Sequence, residues 1–285
     1  MESPLAFVLV LIYVACSALF GAFVKLSGNR LVLFGAVNGL TMLVVLPLFL
    51  FLPLPAPQVW PFIFASSVAY NAMLYFAAKA YQYADLSVVY PLARAVSFLV
   101  IVVSAKFLLA EQGHWYEWLA IGIIFMAILM QMSMRQLDKI NQAVSYVWMG
   151  LMGVSLGLMW VFDIMGVRLA DNTWSFIAAL MFVGLPATLW ALLAHRRQLK
   201  TVLVENKKQI VIGALLDNVG YACFLYAIYG ARALYAVPLS NLSVVAATLL
   251  GLYYLKEHLR LRRLLSAIMI AVAIMGVQIM DIVQP

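Results

Sequence analysis

Long apolar runs alternate with short polar connections along the whole chain. They divide it into ten predicted membrane spans, at residues 4–25, 31–52, 59–80, 86–109, 115–134, 144–166, 173–194, 209–230, 232–254 and 264–282. Each run is close to the ~20 apolar residues that cross a bilayer as a helix. The runs are continuous rather than alternating, which excludes a transmembrane barrel. The pattern therefore predicts an all-α membrane protein with ten transmembrane helices.

Composition agrees with this class of protein. The 285 residues are 66% hydrophobic and 10% charged, whereas a soluble domain is about half apolar and about a quarter charged. The first run lacks a basic start and a small-residue cleavage site, so we expect a retained helix rather than a signal peptide. Cys16 and Cys223 lie inside apolar runs and are expected to be reduced. We predict a multi-pass protein of the cell membrane, the inner membrane in a bacterium.

The connections leave no room for a soluble catalytic domain. The longest, between His195 and Lys208, has about fifteen residues, and no GxxxxGK[ST] or HExxH motif is present. His114, His195 and His258 all lie beside loops, so they form no cluster at membrane depth. We therefore predict no enzyme activity, no metal site and no cofactor. The net charge of +7 is attributed to loops rather than to nucleic-acid binding.

The second half of the chain resembles a copy of the first. Asn71 and Asn218 are 147 residues apart, and the same offset relates Pro91 to Pro238, Leu92 to Leu239, Ala120 to Ala267 and Gln131 to Gln278. Glu111 and Glu257 match with one residue of slippage. Five helices is an odd number, so the second copy enters the membrane upside down. The predicted units are residues 1–140 and 141–285, as inverted repeats with a site where they meet.

Positive charge is unequal between the two sets of loops. The odd-numbered connections carry most of the Lys and Arg residues, including Arg135, Arg196 and Arg262. The even-numbered ones carry little beyond Lys106, Arg168 and Arg232. The positive-inside rule then places the odd loops in the cytoplasm and both termini outside.

The stretch Asp85-Leu-Ser-Val-Val-Tyr-Pro-Leu-Ala-Arg94 places an arginine about ten residues into an apolar run. A charge at that depth costs about 2.5–3.5 kcal/mol on insertion scales, so such residues are candidates for function. Ser87, Tyr90, Arg94 and Ser97 share one helix face. A guanidinium binds carboxylate or phosphate in a bidentate fork. Arg94 is a candidate substrate anchor; a structural pair with an acid or a helix carbonyl is the alternative.

Other polar residues also lie at membrane depth. Asp217, about nine residues into its span, is expected to take a proton, bind a substrate ammonium or neutralise Arg94. Asp163 and Lys25 are candidates nearer the ends of their spans, where they can instead snorkel. Asn241 occupies the Arg94 position of the second repeat. Asn71 is better explained as a contact between helices than as a ligand.

Aromatic and backbone-breaking residues complete the candidates. Mid-span Tyr70, Tyr90, Trp160 and Tyr221 are expected to line a cavity, although any one of them is more often packing. Proline removes a backbone hydrogen bond, so Pro91 and Pro238 are candidate hinges. The small residues between Gly150 and Gly157 predict a close helix contact.

These features resemble the EamA type of the drug/metabolite transporter superfamily. The resemblance rests on the ten spans in two halves, Glu111 and Glu257, Ala78-x-x-Tyr81-x-x-Ala84, and the Asp85–Arg94 stretch, which is similar to a bacterial branch with a DLSxVYPLAR segment. Trp160-Val-Phe-Asp163-Ile-Met-Gly-Val-Arg168, Pro238-Leu-Ser-Asn-Leu-Ser243 and residues 251–257 resemble its sixth and ninth helices. The resemblance covers essentially the whole chain. It implies a secondary transporter with a central cavity and alternating access, and termini in the cytoplasm, opposite to the charge bias.

The favoured hypothesis is a transporter of a small polar or zwitterionic metabolite that bears an anionic group, such as an amino acid or a phosphonate. Its expected partners are that substrate, the lipid bilayer and, if transport is coupled, a proton. The alternative is a flippase for a lipid or lipid-linked precursor, for which Lys25, Lys79 and Arg94 would form a cationic cavity. An intramembrane enzyme or an inert membrane partner is the third hypothesis.

Overall fold

The computed structural model describes residues 4–26, 30–83, 86–130, 142–194, 201, 203–253 and 261–283. Within them the regular structure is entirely helical, as predicted. The helices of the first half are α1 (Pro4–Leu26), α2 (Arg30–Val45), α3 (Trp60–Tyr83), α4 (Leu86–Phe107) and α5 (Trp115–Met130), with 3-10 segments at Leu46–Leu50 and Pro57–Val59. Those of the second half are α6 (Gln142–Leu169), α7 (Thr173–Leu180), α8 (Leu185–Ala194), α9 (Lys207–Gly230), α10 (Ala233–Ser240), α11 (Leu242–Tyr253) and α12 (Leu261–Val283).

Several of these helices have the length and composition of membrane spans. Among the described residues, the segments Pro57–Ala80, Val144–Leu169, Thr173–Trp190 and Lys207–Gly230 are long and apolar enough to cross a bilayer. Within the same part of the chain, shorter apolar helices follow five of the six other predicted spans, as at Trp115–Met130 and Leu264–Met280, but not span 86–109. Large apolar side chains such as Leu43, Phe64 and Leu193 are exposed on the outside. The chain is a multi-pass membrane protein.

Three predicted spans are not single α-helices. Span 173–194 is divided between α7 and α8, span 232–254 between α10 and α11, and span 31–52 ends in the 3-10 segment after α2. Pro186 is the second residue of α8 and Pro47 the second of the 3-10 segment, and neither has an N–H to continue a preceding helix. The apolar runs were located correctly, but their division into helices was not.

A close contact between α6 and α4 depends on two glycines. A Cβ on Gly153 would lie 2.6 Å from the Val96 Cβ, and one on Gly157 would lie 2.6 Å from the Val100 Cβ. Gly150 faces open space instead, with nothing within 4 Å of an added Cβ. The predicted close helix contact is therefore confirmed, and it fixes the position of α4, which carries Arg94.

Two asparagines join helices that are distant in the sequence. Asn71 on α3 donates from Nδ2 to the Val183 carbonyl at 2.9 Å and accepts at Oδ1 from the Ala187 N–H at 3.0 Å, which holds the turn between α7 and α8. Asn218 on α9 donates to the Thr41 hydroxyl of α2 at 2.6 Å. Both side chains stabilise helix packing, as was predicted for Asn71.

Candidate functional site

Arg94 lies deep within α4 and contacts the second half of the chain. It is eight residues after Leu86, the first residue of α4, which is about 12 Å along a helix. Its Nη2 donates a hydrogen bond to the Ser243 hydroxyl, 3.2 Å away at the start of α11. The Ser97 hydroxyl donates to the Arg94 carbonyl at 2.9 Å, which stays within α4. A cation from one half thus meets a polar group from the other.

The helix break beside Ser243 is organised by Asn241. Its backbone N–H donates to the Pro238 carbonyl at 3.0 Å, so the Val237 carbonyl loses the partner that a regular α-helix would supply. Two side chains replace that partner: the Asn241 Nδ2 donates to the Val237 carbonyl at 3.0 Å and the Ser240 hydroxyl donates to it at 2.7 Å. Asn241 is only 2% exposed. The side chain therefore stabilises a non-helical step of backbone at membrane depth, where an unsatisfied carbonyl is costly.

An aromatic cluster joins α1, α6 and α9. The ring of Trp160 on α6 lies 5.5 Å from Tyr221 and 4.8 Å from Phe224, both on α9. Tyr13 on α1 closes the cluster, with its centroid 4.7 Å from Phe224 and 6.3 Å from Trp160. These rings pack against the same hydrophobic core as Leu242, next to Ser243. Trp160 and Tyr221 were predicted together as cavity-lining residues, and the structure brings them into contact.

Asp163 lies one turn beyond Trp160 and is fully buried, with 0% exposure. Its Oδ2 accepts a hydrogen bond from the Tyr221 hydroxyl. Ser66 lies beside the carboxyl group from α3. In the described part of the chain, no Lys or Arg side chain forms an ion pair with Asp163. The sequence argument placed this residue near an interface, able to snorkel, and that expectation is wrong for this conformation because the side chain has no path to the surface.

Asp217 differs from Asp163 in being exposed. It lies within electrostatic range of Tyr70 on α3 and of Tyr221 on its own helix. Tyr70 in turn accepts a hydrogen bond from Asn38 Nδ2 of α2 at 3.3 Å. Asp217 is therefore an accessible carboxyl group close to the tyrosines of α3 and α9.

Some predicted residues cannot be placed in the site. The side chains of Tyr90, Pro91 and Lys25 lie outside the described residues, as does Asp85 altogether. The backbone of α4 is helical at Pro91, whereas α10 ends two residues after Pro238. The two candidate hinges therefore lie in unlike surroundings, one within a helix and one just before a break.

A network of charges that the sequence argument did not find lies at the ends of α4, α6 and α9. Glu111 accepts from Arg168 Nη2 at 2.6 Å and from the backbone N–H groups of Ala233 and Leu234 at 2.8 Å each. Glu117 accepts from Arg232 Nη2 at 2.8 Å. Glu111 was singled out in the sequence for its match with Glu257, but Arg168 and Arg232 were treated as ordinary loop charges. A carboxylate at the start of α10 is favourable because the first N–H groups of a helix lack partners.

Among the described residues, a cavity of about 180 Å³ lies between residues 53–56 and 170–172, at the ends of the helices, and Arg94 does not line it. Within the described ranges, no three His, Cys, Asp or Glu side chains are grouped closely enough to hold a metal ion. The chemistry that these residues offer is binding: a cation at Arg94, an accessible carboxylate at Asp217 and an aromatic wall.

Comparison with known proteins now adds to this geometry. Residues 144–279 match the EamA-like transporter family. This match covers most of α6 to α12 and confirms the resemblance to the EamA type of the drug/metabolite transporter superfamily. Members of that family are membrane transporters.

Solved structures extend the likeness to the whole chain. One of 24 matching chains, described as "Crystal structure of protein", has a TM-score of 0.68 and covers 98% of this chain, with 99% of its own length matched. Its sequence is 13% identical, so the likeness shows the fold alone. No curated protein matches the chain.

Proposed function

We propose that this EamA-like protein is a secondary active transporter of a small polar or zwitterionic metabolite with an anionic group. It works by alternating access in the inner membrane of a bacterial cell and catalyses no chemical reaction. The observation that carries this proposal is the hydrogen bond between Arg94 and Ser243, which places a guanidinium between the two halves of the chain. Transport sites of inverted-repeat proteins lie where the repeats meet, near the middle of the bilayer.

The repeat itself is supported by the two asparagines. Asn71 and Asn218 hold matching positions in residues 1–140 and 141–285. Asn71 joins the third predicted span to the seventh, and Asn218 joins the eighth to the second. If each span is replaced by its counterpart in the other half, the contact of Asn71 becomes the contact of Asn218. Counting α7 with α8 and α10 with α11 as single crossings leaves ten crossings, which supports the proposal of two inverted five-helix repeats.

Helix packing has the same symmetry. In the first half α3 and α4 both pack against α6, and in the second half α9 and α11 both pack against α1. Exchange of the halves converts the third, fourth and sixth spans into the eighth, ninth and first. Contacts of α5 with α12 and of α2 with α8 are their own counterparts. This exchange symmetry is the arrangement that lets two repeats swap conformations during transport.

The residues would divide the binding of an asymmetric ligand. Arg94 would hold the carboxylate, phosphate or phosphonate in a bidentate fork, with Tyr90 on the same helix face. Asp217 would bind a substrate ammonium, and Trp160 with Tyr221 would supply an aromatic wall for it. Asn241 is the neutral counterpart of Arg94 in the second repeat, so one arm of the site is charged and the other is not.

Rearrangement would occur around the prolines. The break after Pro238 already separates α10 from α11. The Val237 carbonyl at this break accepts from two side chains rather than from the backbone N–H of a regular helix. A backbone held in this way can adopt a second arrangement at low cost. Pro91, the counterpart in α4, would supply the matching hinge of the other repeat.

A ligand screen followed by uptake tests the proposal. Purified protein is heated with amino acids, phosphonates, amines and lipid headgroups, and a ligand that raises the melting temperature is then offered to proteoliposomes. We expect a compound with an anionic group to stabilise the protein and to accumulate. Stabilisation by lipid headgroups alone, with no uptake of soluble compounds, would favour a flippase instead.

A further inference from the structure

The carboxyl group of Asp163 is satisfied on one side only. Oδ2 accepts from the Tyr221 hydroxyl, while Oδ1 is buried and has no hydrogen-bond partner. Ser66 Oγ, on α3, lies beside the carboxyl group and is likewise buried. Both residues are 0% exposed. The Ser66 hydroxyl can donate to a carboxylate or accept from a carboxylic acid, so its position beside Asp163 fits either charge state.

The cost of a buried charge distinguishes the two states of the carboxyl group. If Oδ1 carries a proton, it becomes a donor, and Ser66 Oγ has lone pairs to accept from it. The same proton removes the net charge that an isolated carboxylate would bring into the protein interior. No other bond forms or breaks, and the Tyr221 hydroxyl continues to donate to Oδ2.

We propose that Asp163 is a proton-binding site, in which Oδ1 carries the proton and Ser66 accepts from it, and that this proton is the one coupled to transport. The second part rests on the proposed function, and it assigns the proton to Asp163 rather than to Asp217. Asp163 then does not contact substrate in this conformation. A change in its charge instead affects the site through its hydrogen bond with Tyr221. The Tyr221 ring lies against Trp160, 5.5 Å between centroids.

The surroundings of Asp163 suit a proton better than another neutralising group. Of the elements packed against α6, α9 presents Tyr221 to the carboxyl group and α3 presents Ser66. The segment α7 and the 3-10 turn at Pro57–Val59 carry no ionisable residue. On α4 the charged residues are Arg94, which bonds to Ser243, and Lys106, which lies over the Trp118 ring. Asp217 and Tyr13 interact with Tyr221 rather than with Asp163.

A metal cation would need more ligands than are present. Hard cations such as Ca²⁺ take six or more oxygens and Mg²⁺ keeps an octahedral shell. The described oxygens around Asp163 are its own two, that of Ser66 and that of Tyr221. Addition of Na⁺ nevertheless belongs in the test, because it distinguishes a proton from an alkali cation directly.

Infrared spectroscopy of the protein in lipid vesicles tests proton binding without any substrate. A protonated carboxyl in a dry environment gives its own C=O stretching band, which disappears when the proton is lost as pH is raised. We expect this band in the wild type, its loss in Asp163→Asn, and its persistence in Asp171→Asn, an exposed aspartate beside α7. Ser66→Ala should keep the band but shift its frequency, because the acceptor is gone.

Each other outcome contradicts the proposal. A wild-type band that survives Asp163→Asn belongs to another residue, and a band abolished by Na⁺ at constant pH indicates a cation site. An unshifted band in Ser66→Ala shows that Ser66 does not accept the proton. This last variant also guards against misfolding of Asp163→Asn, since it deletes only a hydroxyl.

Coupling is measured as a ratio in proteoliposomes. Initial uptake of a ligand found by the thermal screen is compared with and without an inward proton gradient. We expect a ratio above one for the wild type and for Asp171→Asn, and a ratio of one for Asp163→Asn. An Asp163→Asn protein that still responds to the gradient overturns the coupling. If the wild type moves no ligand at all, the proposed function fails while the infrared result still decides proton binding.

Discussion

Arg94 on α4 donates a hydrogen bond to Ser243 on α11, with 3.2 Å between Nη2 and Oγ. The two residues are 149 positions apart in the sequence and belong to different halves of the chain. Ser243 lies two residues after Asn241, where the helix is broken. The orientation of the guanidinium is therefore linked to the part of the backbone best suited to rearrange.

Replacement of Ser243 by alanine tests this link. Hydrogen bonds to charged groups contribute about 1.5–3 kcal/mol, so we expect apparent substrate affinity to fall about ten-fold or more. The matched control is Ser240→Ala, because the Ser240 hydroxyl donates only to Val237 of its own helix, at 2.7 Å. Equal affinities of the two variants in uptake assays would show that Ser243 does not position Arg94.

The space around each glycine of α6 predicts whether its substitution by alanine is tolerated. Gly153→Ala should lower the free energy of unfolding by about 1–3 kcal/mol, the usual cost of overpacking, because its Cβ would lie 2.6 Å from the Ala93 carbonyl oxygen. Gly150→Ala, in the same helix but facing open space, should be neutral or slightly stabilising. Thermal unfolding in detergent measures both. A Gly153→Ala protein as stable as Gly150→Ala would contradict the close approach of α4.

The two asparagines predict a symmetric effect. Hydrogen bonds between membrane helices average ~0.6 kcal/mol and reach ~1.7 kcal/mol. We expect Asn71→Ala and Asn218→Ala each to destabilise the protein by about 1–2 kcal/mol, since each side chain bonds to another helix and also to a carbonyl of its own helix. Their effects should add in the double variant, because distant sites are independent. Loss of stability in only one of the two would argue against equivalent roles in two repeats.

The charge network at the start of α10 is expected to hold α10 against the neighbouring helices and to keep water out at this end of the protein. Glu111→Gln weakens bonds to Arg168 and to two backbone N–H groups, so α10 should move away more often. In a background without Cys16 and Cys223, a cysteine in place of the buried Ala236 should react several-fold faster with a water-soluble maleimide. Lys106→Ala, at the same end but outside the network, is the control. Unchanged labelling would mean that the network only stabilises the fold.

Much of the architecture could be predicted because a bilayer imposes it. Runs of about 20 apolar residues have to be helices there, and the described helices follow the runs. The divisions at residues 181–184 and at Asn241 were missed, although Pro186 and Pro238 stood beside them. Proline marks where a helix can break, but whether it breaks depends on what satisfies the freed carbonyl. Here those groups are the Ser240 and Asn241 side chains, whose contacts are visible only in three dimensions.

The candidate residues of the site could be predicted where their position in an apolar run alone identifies them. Arg94 and Asp217 were found from their depth in apolar runs, and Asp163 from its place nearer the end of one. Their environments were not found, because partners such as Ser243 and Ser66 come from other helices, and helix rotation decides which side chains face each other. The pairing of Glu117 with Arg232, 115 residues apart, was missed for the same reason. Depth gives no information about exposure either: Asp217 was placed deeper in its span than Asp163, yet Asp163 is the buried one.

The most direct test of the proposed function is uptake by proteoliposomes that contain Arg94 variants. A lysine keeps the positive charge but loses the planar fork, so we predict that Arg94→Lys binds the anionic ligand at least ten-fold more weakly and that Arg94→Ala does not transport it. Both proteins should keep the melting temperature of the wild type in the absence of ligand to within a few degrees. Normal transport by Arg94→Ala would contradict the role of Arg94 as the substrate anchor.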